Sequence, residues 1–207
     1  KLQFRFLRLG IPMALSYAFE TTAFMTITML AGWLGAASIA AYQAAMNVNG
    51  LCFMVAIGMS TATAVRVGNA IGRHDRHGMA MAGWVGTVLI LLAMVPLAAI
   101  VALFPQTLAS IFNKEADVVP IIVSALFVVA FLIPSDGVQG VLLGALRGAA
   151  DIWPTTALGF FSFWIVMVPL AVLFGFQFEG GIPGLLWAEV VAITLAAVLF
   201  GWRFRVI

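Results

Sequence analysis

Apolar residues fall into six long runs along the chain, and short polar or glycine- and proline-containing stretches separate them. The runs cover roughly residues 10–34, 39–65, 79–104, 118–146, 154–178 and 181–202. About 20 apolar residues cross the hydrocarbon core of a bilayer as a helix. Because lipid offers no partner for backbone N–H and C=O groups, such runs should be helical, and no series of short alternating strands suggests a barrel. The pattern predicts an all-α membrane protein, a six-transmembrane-helix bundle.

Composition strengthens this interpretation. Hydrophobic residues make up 64% of the 207 residues and charged residues only 9%, whereas a soluble domain carries about 25% charged residues. Membrane lipid is therefore the expected surrounding, and a net charge of +2 gives no reason to expect nucleic acid as a partner. The single cysteine, Cys52, excludes an intrachain disulfide. No linker or soluble domain interrupts residues 1–207, so we expect one transmembrane unit.

The basic residues predict the orientation of the bundle. If the six spans alternate in direction, nine of the ten Lys and Arg residues fall on one side, and only Lys114 falls on the other. Positive charge is enriched in cytoplasmic loops, so both termini should be cytoplasmic. The chain starts with Lys1 rather than Met, and we therefore expect it to be a fragment. The nine residues are Lys1, Arg5, Arg8, Arg66, Arg73, Arg76, Arg147, Arg203 and Arg205.

Three acidic residues, Glu20, Asp136 and Glu189, lie inside the predicted spans. A charge at the centre of a bilayer costs about 2.5–3.5 kcal/mol on insertion scales, so such residues usually face a cavity or a partner. The spans contain no Lys or Arg to neutralise them. A protonated carboxyl bonded to a neighbouring helix is the plainer alternative. Glu189 lies closer to the outer surface, where we expect a partly hydrated structural role.

Depth singles out two of the three acids as a pair. Glu20 follows Arg8 by 12 residues, and Asp136 precedes Arg147 by 11. At 1.5 Å per residue, both carboxylates lie about 17 Å from cytoplasmic charges, near the middle of the bilayer. If the first and fourth spans are neighbours, the pair could share a proton, or could bind Na⁺ with carbonyls and hydroxyls completing its shell.

Polar residues accompany this pair at helical spacing, which suggests a wet face. Residues three or four apart lie on the same side of a helix. Interhelical hydrogen bonding would explain some of these residues equally well. The candidates for lining a cavity are Ser16 and Tyr17 near Glu20, Gln139 near Asp136, and Gln43 with Asn47 on the second span.

Motifs for catalysis or nucleotide binding are absent from the sequence. There is no H-E-x-x-H, G-x-S-x-G or phosphate-binding loop. The sequence "RHDRH" at 73–77 brings two histidines and Asp75 together, but a metal site needs further ligands in defined geometry, and a solvated loop is the preferred interpretation. We expect neither an enzyme nor a cofactor, only H⁺ or Na⁺ as a coupling ion.

Three segments resemble the multidrug and toxic compound extrusion (MATE) family. "AAYQAAMNVNGLCFMVAIGMSTATAVRVGNAIGRHD" (40–75) is similar to a characteristic segment of that family. "LRLGIPMALSYAFE" (7–20) looks like its seventh helix, and "DGVQGVLLGALRGAAD" (136–151) looks like its tenth. Members have twelve spans in two six-helix lobes, so the resemblance implies that this chain is the C-terminal lobe, whose partner is the N-terminal lobe.

The resemblance also implies a function. It suggests a secondary antiporter in the bacterial inner membrane, in which entry of Na⁺ or H⁺ drives export of organic cations and amphiphilic drugs. In the bacterial NorM-type branch, a glutamate and an aspartate carry cation coupling, and these correspond to Glu20 and Asp136. That branch often has a tyrosine one turn before the aspartate, where this chain has Leu132, so the choice between Na⁺ and H⁺ stays open.

Three alternatives remain at this stage. The first is a flippase for lipid-linked precursors of the same superfamily, which a long cationic central cavity would favour, but the predicted spans contain no Arg or Lys. An intramembrane enzyme could use paired carboxylates as an acid pair. A purely structural membrane subunit is the third alternative, and it would tolerate loss of both acids.

Overall fold

The computed structural model describes the backbone of residues 2–207 and the side chains from residue 10 onward. Lys1 lies outside the described residues. Arg5 and Arg8, which the orientation argument uses, lie outside the described side chains. Their contribution to orientation therefore stays a prediction.

The described chain folds into seven helices joined by short turns. They are α1 (Leu2–Trp33), α2 (Ala36–Gly72), α3 (Arg76–Leu103), α4 (Pro105–Phe112), α5 (Val119–Gly148), α6 (Ile152–Gln177) and α7 (Gly181–Val206). Within α6, two stretches adopt the wider π-helical form, Phe161–Met167 and Leu173–Gln177. They flank Pro169, which lacks a backbone N–H and so interrupts the regular hydrogen-bond pattern.

Five helices are long and apolar enough to cross a membrane, and each corresponds to one of the predicted runs. They are α2, α3, α5, α6 and α7. The first run folds into α1, whose 32 residues would reach about 48 Å, but α1 is not among the five because its polar residues lower its hydropathy. The hydroxyls of Thr22 and Thr26 donate to carbonyls one turn earlier, at 2.6 and 2.8 Å. These hydroxyls therefore need no water and are compatible with a membrane span. That α1 is a sixth span stays a prediction.

Several helices extend beyond the predicted runs. The second run covers 39–65, but α2 continues to Gly72, past the end of the apolar run at Arg66. In the same way α1 begins at Leu2 and α7 ends at Val206. The stretch between the third and fourth runs contains the short helix α4. Pro105 starts it at a position where the missing N–H costs nothing.

The centre of the bundle is α5, which packs against α2, α3, α4 and α7. Two glycines let α2 come unusually close to it. A methyl group at Gly144 or Gly148 would overlap the backbone of Ser60 or Ala64, respectively. The Ser60 hydroxyl donates to the carbonyl of Gly140 at 2.7 Å across the same seam. Small residues are a general means of close helix packing in membranes, and here they fix α2 beside the acidic part of α5.

Three chain segments meet at one end of the bundle. The α2–α3 turn, the α5–α6 turn and the final residue together line a cleft of about 370 Å³. Asp151 in the α5–α6 turn pairs with Arg203 of α7 through two hydrogen bonds, of 2.6 and 2.9 Å. The segments that carry Arg73, Arg76 and Arg147 therefore share one end, as the alternating spans require. Which side of the membrane this end faces stays a prediction.

Candidate functional site

A cavity of about 560 Å³ lies between α1, α2 and α5. Glu20 and Tyr17 of α1 line it, together with Gln139 and Arg147 of α5. The rest of the wall is largely apolar and includes Phe24 and Phe53. The cavity thus combines an apolar wall with one acid and one base, which suits an amphiphilic organic ligand.

Glu20 holds its position in the cavity because α1 is fastened to α6. The indole N–H of Trp164 donates to the carbonyl of Phe19 at 3.1 Å. The ring of Phe19 also packs edge-on against Phe160, with centroids 4.9 Å apart. Further down the helix, the Thr156 hydroxyl donates to the carbonyl of Pro12 at 3.0 Å. These contacts orient the half-buried carboxylate of Glu20 toward α2 and α5.

Asp136 is buried behind the cavity. It lies one turn before Gln139 on α5, and the amide of Asn49 on α2 donates to its Oδ2 at 2.9 Å. Asp136 does not itself line the cavity. Glu20 lies on the cavity wall and Asp136 is buried outside its lining. That the two carboxylates share a depth in the bilayer stays a prediction. Sharing of one ion by the two residues stays a prediction.

Two buried polar atoms around Asp136 lack a hydrogen-bond partner. They are Oδ1 of Asn49 and Nε2 of Gln139. A buried polar group without a partner costs about 1–3 kcal/mol, so such groups often mark a place for water or a ligand. Oδ1 of Asn49 and the Asp136 carboxylate are oxygen donors of the kind that hard cations prefer. They fit Na⁺ or a protonated Asp136 equally well.

Arg147 corrects the expectation that no cation accompanies the intramembrane acids. The sequence placed it after the fourth span, but α5 continues past it, and Arg147 lines the same cavity as Glu20. Its Nη1 donates to the hydroxyl of Tyr17 at 2.7 Å, and its guanidinium carbon lies 4.3 Å from the centroid of that ring. Nη2 is buried without a partner. One positive charge therefore belongs to the cavity wall.

The remaining candidates for lining the cavity divide into two groups. Gln139 is almost fully buried and Tyr17 is largely exposed at the surface of the bundle, yet both line the cavity. Gln43 and Asn47 lie on an exposed face of α2, away from this cavity, and Ser16 is half-buried outside its lining. A role for these last three in binding substrate stays a prediction.

Glu189 does not have the partly hydrated position that the sequence suggested. Its side chain is fully buried between helices, and the hydroxyl of Tyr42 donates to its Oε1 at 2.7 Å. The position of Glu189 along α7 predicted a hydrated side chain, and this was wrong because exposure depends on which helices cover that face of α7. The sequence pattern also did not identify Tyr42 and Asn49, the residues of α2 that donate hydrogen bonds to Glu189 and Asp136. It selected Gln43 and Asn47, which lie on a different face of α2.

A side-chain cap orders the polar loop at 73–77. Oδ1 of Asp75 accepts from the N–H of Gly78 at 2.8 Å and caps the start of α3. Among the residues whose side chains are described, no group of three or more His, Cys, Asp or Glu could hold a metal ion. Asp75 therefore has a structural task as a cap.

Comparison with known proteins gives consistent matches. The MatE family profile matches residues 12–173. The chain is 36% identical over 200 residues to "Probable multidrug resistance protein NorM" of Xanthomonas campestris pv. campestris, covering 96% of this chain and 43% of that protein. It is 31% identical over 204 residues to "Multidrug resistance protein NorM" of Aliivibrio fischeri, covering 97% and 44%. The chain thus spans less than half the length of these curated relatives.

A solved structure shares the fold. The crystal structure of the eukaryotic MATE transporter AtDTX14 superimposes with a TM-score of 0.91 at 21% identity. The match covers 98% of this chain and 46% of that one. From the family profile and the half-length match, this chain belongs to the MatE family, the multidrug and toxic compound extrusion family, and is one lobe of such a protein.

Proposed function

We propose that this lobe is the cation-coupling half of a secondary multidrug exporter. The full transporter exchanges H⁺ or Na⁺ for cationic or amphiphilic organic compounds. The observation that carries the proposal is the cavity between α1, α2 and α5, where Glu20 lies on an otherwise largely apolar wall. The names of the curated relatives, which are multidrug resistance proteins, support the substrate class.

Ion binding at Glu20 and Asp136 would change the balance between conformations. An acid inside a membrane protein is costly unless it binds a proton, a cation or a polar partner. Occupation of these two acids therefore favours the conformation that buries them, and release favours one that opens them. A ligand shifts such an equilibrium only by its different affinity for the two states. An organic cation would compete for the same negative charge or prefer the ion-free state.

The family and the basic residues support a proposal for the partner of this lobe, its membrane and its orientation. Its partner is the N-terminal six-helix lobe of the same transporter, and a pathway would run between the two. Gln43 and Asn47, on an exposed face of α2, are suited to that boundary. We place the transporter in a bacterial inner membrane with both ends of this lobe cytoplasmic, as the basic residues at the shared end of the bundle favour.

The proposal is tested with the full-length transporter in liposomes. Efflux of a fluorescent organic cation is followed under a pH gradient alone and under a Na⁺ gradient alone. Wild-type protein should export the dye under one of them, which identifies the coupling ion. Glu20→Gln and Asp136→Asn should each abolish export while inserting normally into the membrane, because each removes a titratable oxygen donor.

The chain offers matched controls. Glu179→Gln and Asp117→Asn make the same chemical changes at exposed loop positions and should leave export unchanged. Full export by both Glu20→Gln and Asp136→Asn would contradict the mechanism. If neither gradient drives dye efflux by the wild-type protein, multidrug antiport itself is contradicted.

A further inference from the structure

The contact between Tyr42 and Glu189 lies outside the cavity and has no part in the proposed coupling. It joins α2 to α7 across 147 residues of sequence through a 2.7 Å hydrogen bond. Glu189 is 0% exposed and Tyr42 is 2% exposed. The second carboxyl oxygen of Glu189, Oε2, is buried and has no hydrogen-bond partner.

No described side chain forms a salt bridge with this carboxyl. Among the described side chains, the one salt bridge is that of Arg203 with Asp151, at the end of α7. The helices packed against α7 are chiefly α5 and α6, with few contacts from α1 and α2. Of their described titratable groups that face the interior, Tyr42 of α2, Asp136 of α5 and Glu20 of α1 are neutral or acidic. Arg147 of α5 is basic, but it lines the cavity with Glu20 and donates its hydrogen bond to Tyr17. Residues 152–177 of α6 contain no charged or titratable side chain.

The cost of burial decides whether Glu189 is a charged carboxylate or a neutral, protonated carboxyl. Removing a carboxylate from water costs several kcal/mol even after the protein relaxes, unless a cation and full hydrogen bonding compensate. Here a single neutral hydroxyl compensates. A protonated carboxyl carries no charge and needs only ordinary hydrogen bonds, and the hydroxyl of Tyr42 already provides one to Oε1. The free Oε2 is the atom that would carry the hydrogen.

We propose that Glu189 is a proton-binding site of this lobe, separate from Glu20 and Asp136 and held as a neutral acid by Tyr42. Because both residues are sealed inside the bundle, the proton can leave only when the helices around them rearrange. Tyr42 and Asn49 lie seven residues apart on α2, about two helical turns. The same helix thus donates hydrogen bonds to Glu189 and to Asp136, so a displacement of α2 would affect both acids.

Infrared spectroscopy of the full-length transporter at neutral pH tests the proposal directly, without a transport assay. The difference between wild type and Glu189→Gln should show loss of a protonated carboxylic acid C=O band and no loss of carboxylate bands. The matched control is Glu179→Gln, which changes an exposed glutamate and should remove carboxylate bands instead. If Glu189→Gln also removes carboxylate bands, the proposal is wrong.

A second variant keeps the test decisive if Glu189→Gln does not fold. Tyr42→Phe removes only the hydroxyl that donates to Oε1. A C=O group that loses a hydrogen bond absorbs at higher wavenumber, so the carboxylic acid band should shift upward in this variant. A spectrum with no change in the carboxylic acid region would overturn the assignment of that band to Glu189.

Discussion

The amide of Asn49 donates a 2.9 Å hydrogen bond to Oδ2 of Asp136 and so joins α2 to α5 across 87 residues of sequence. Both side chains are buried. More than two turns further along the same two helices, Gly144 and Gly148 let α5 touch the backbone of α2. Close packing and acid positioning therefore depend on the same pair of helices.

Asn49→Ala should destabilise the lobe and reduce export. Removing the donor leaves a buried acid without its partner, which costs about 1–3 kcal/mol of unfolding free energy. Thermal unfolding of the full-length protein in detergent and dye efflux from liposomes measure the two effects. Asn47→Ala is the control for the unfolding measurement, because Asn47 is exposed only two residues away, and surface substitutions usually stay within about 0.5 kcal/mol. Equal unfolding temperatures of the two variants would show that the bond to Asp136 does not stabilise the lobe.

Arg147→Gln should tighten binding of an organic cation in the cavity. Arg147 contributes a positive charge to the wall that carries Glu20, and a partly screened like charge opposes a cation by about 1 kcal/mol, roughly a fivefold change in affinity. Equilibrium binding of a cationic dye to the purified full-length protein measures it.

Two controls separate the charge of Arg147 from its contacts. Tyr17→Phe removes the hydroxyl that accepts from Nη1 at 2.7 Å but keeps the charge, so dye affinity should stay near that of wild type. Arg76→Gln removes an exposed charge outside the cavity and should also have little effect. Weaker dye binding by Arg147→Gln would mean that Arg147 supports the cavity rather than opposing cations.

Gly144→Ala should destabilise the protein by about 1–3 kcal/mol, the usual cost of overpacking. The added methyl group would meet the backbone of Ser60, which cannot move without shifting α2. Gly50→Ala is the control, because a methyl group there meets nothing within 4 Å and a helix favours alanine over glycine by up to about 1 kcal/mol. Thermal unfolding in detergent should therefore move in opposite directions for the two variants. A stable Gly144→Ala protein would contradict the close contact.

Ala150→Gly should stabilise the turn between α5 and α6. Ala150 adopts a left-handed backbone with φ of 57°, which costs an L-residue roughly 1–2 kcal/mol. Glycine removes this strain, but it loses more chain entropy on folding, which costs about 0.5–1 kcal/mol. The net change in the free energy of unfolding is therefore a small increase. Ala149→Gly, at φ of −80°, should instead lose about 0.5–1 kcal/mol. The difference between the two melting temperatures is the measurement, and a lower value for Ala150→Gly would contradict the strain.

The elements of the fold were predictable from the sequence because lipid imposes a simple rule on it. A run of apolar residues long enough to cross the bilayer must be helical, and five such runs coincide with helices of the structure. Boundaries were less predictable. The extension of α2 to Gly72 and the short α4 lie where lipid no longer dictates the sequence. The π-helical segments of α6 also left no clear signal apart from Pro169.

The acids of the candidate site were found from sequence, but their surroundings were not. Glu20, Asp136 and Glu189 stand out because charge is rare in apolar runs. Periodicity on α2 drew attention to Gln43 and Asn47, whereas the contacts with acids come from Tyr42 and Asn49. A helical pattern shows which residues share a face, but it does not show which helix covers that face.

By itself, the sequence determined that this chain belongs in a membrane, that its long apolar runs are helical and that three acids lie within those runs. These properties follow from the cost of placing peptide groups and charges in lipid, and each depends on a residue and its near neighbours along the chain. Only the tertiary structure decided that Glu20 shares a cavity with Arg147, that Asn49 reaches Asp136 and that Glu189 is sealed against Tyr42. Those relationships depend on how distant helices pack, and residues such as Gly144 set that packing through contacts that only the folded chain makes.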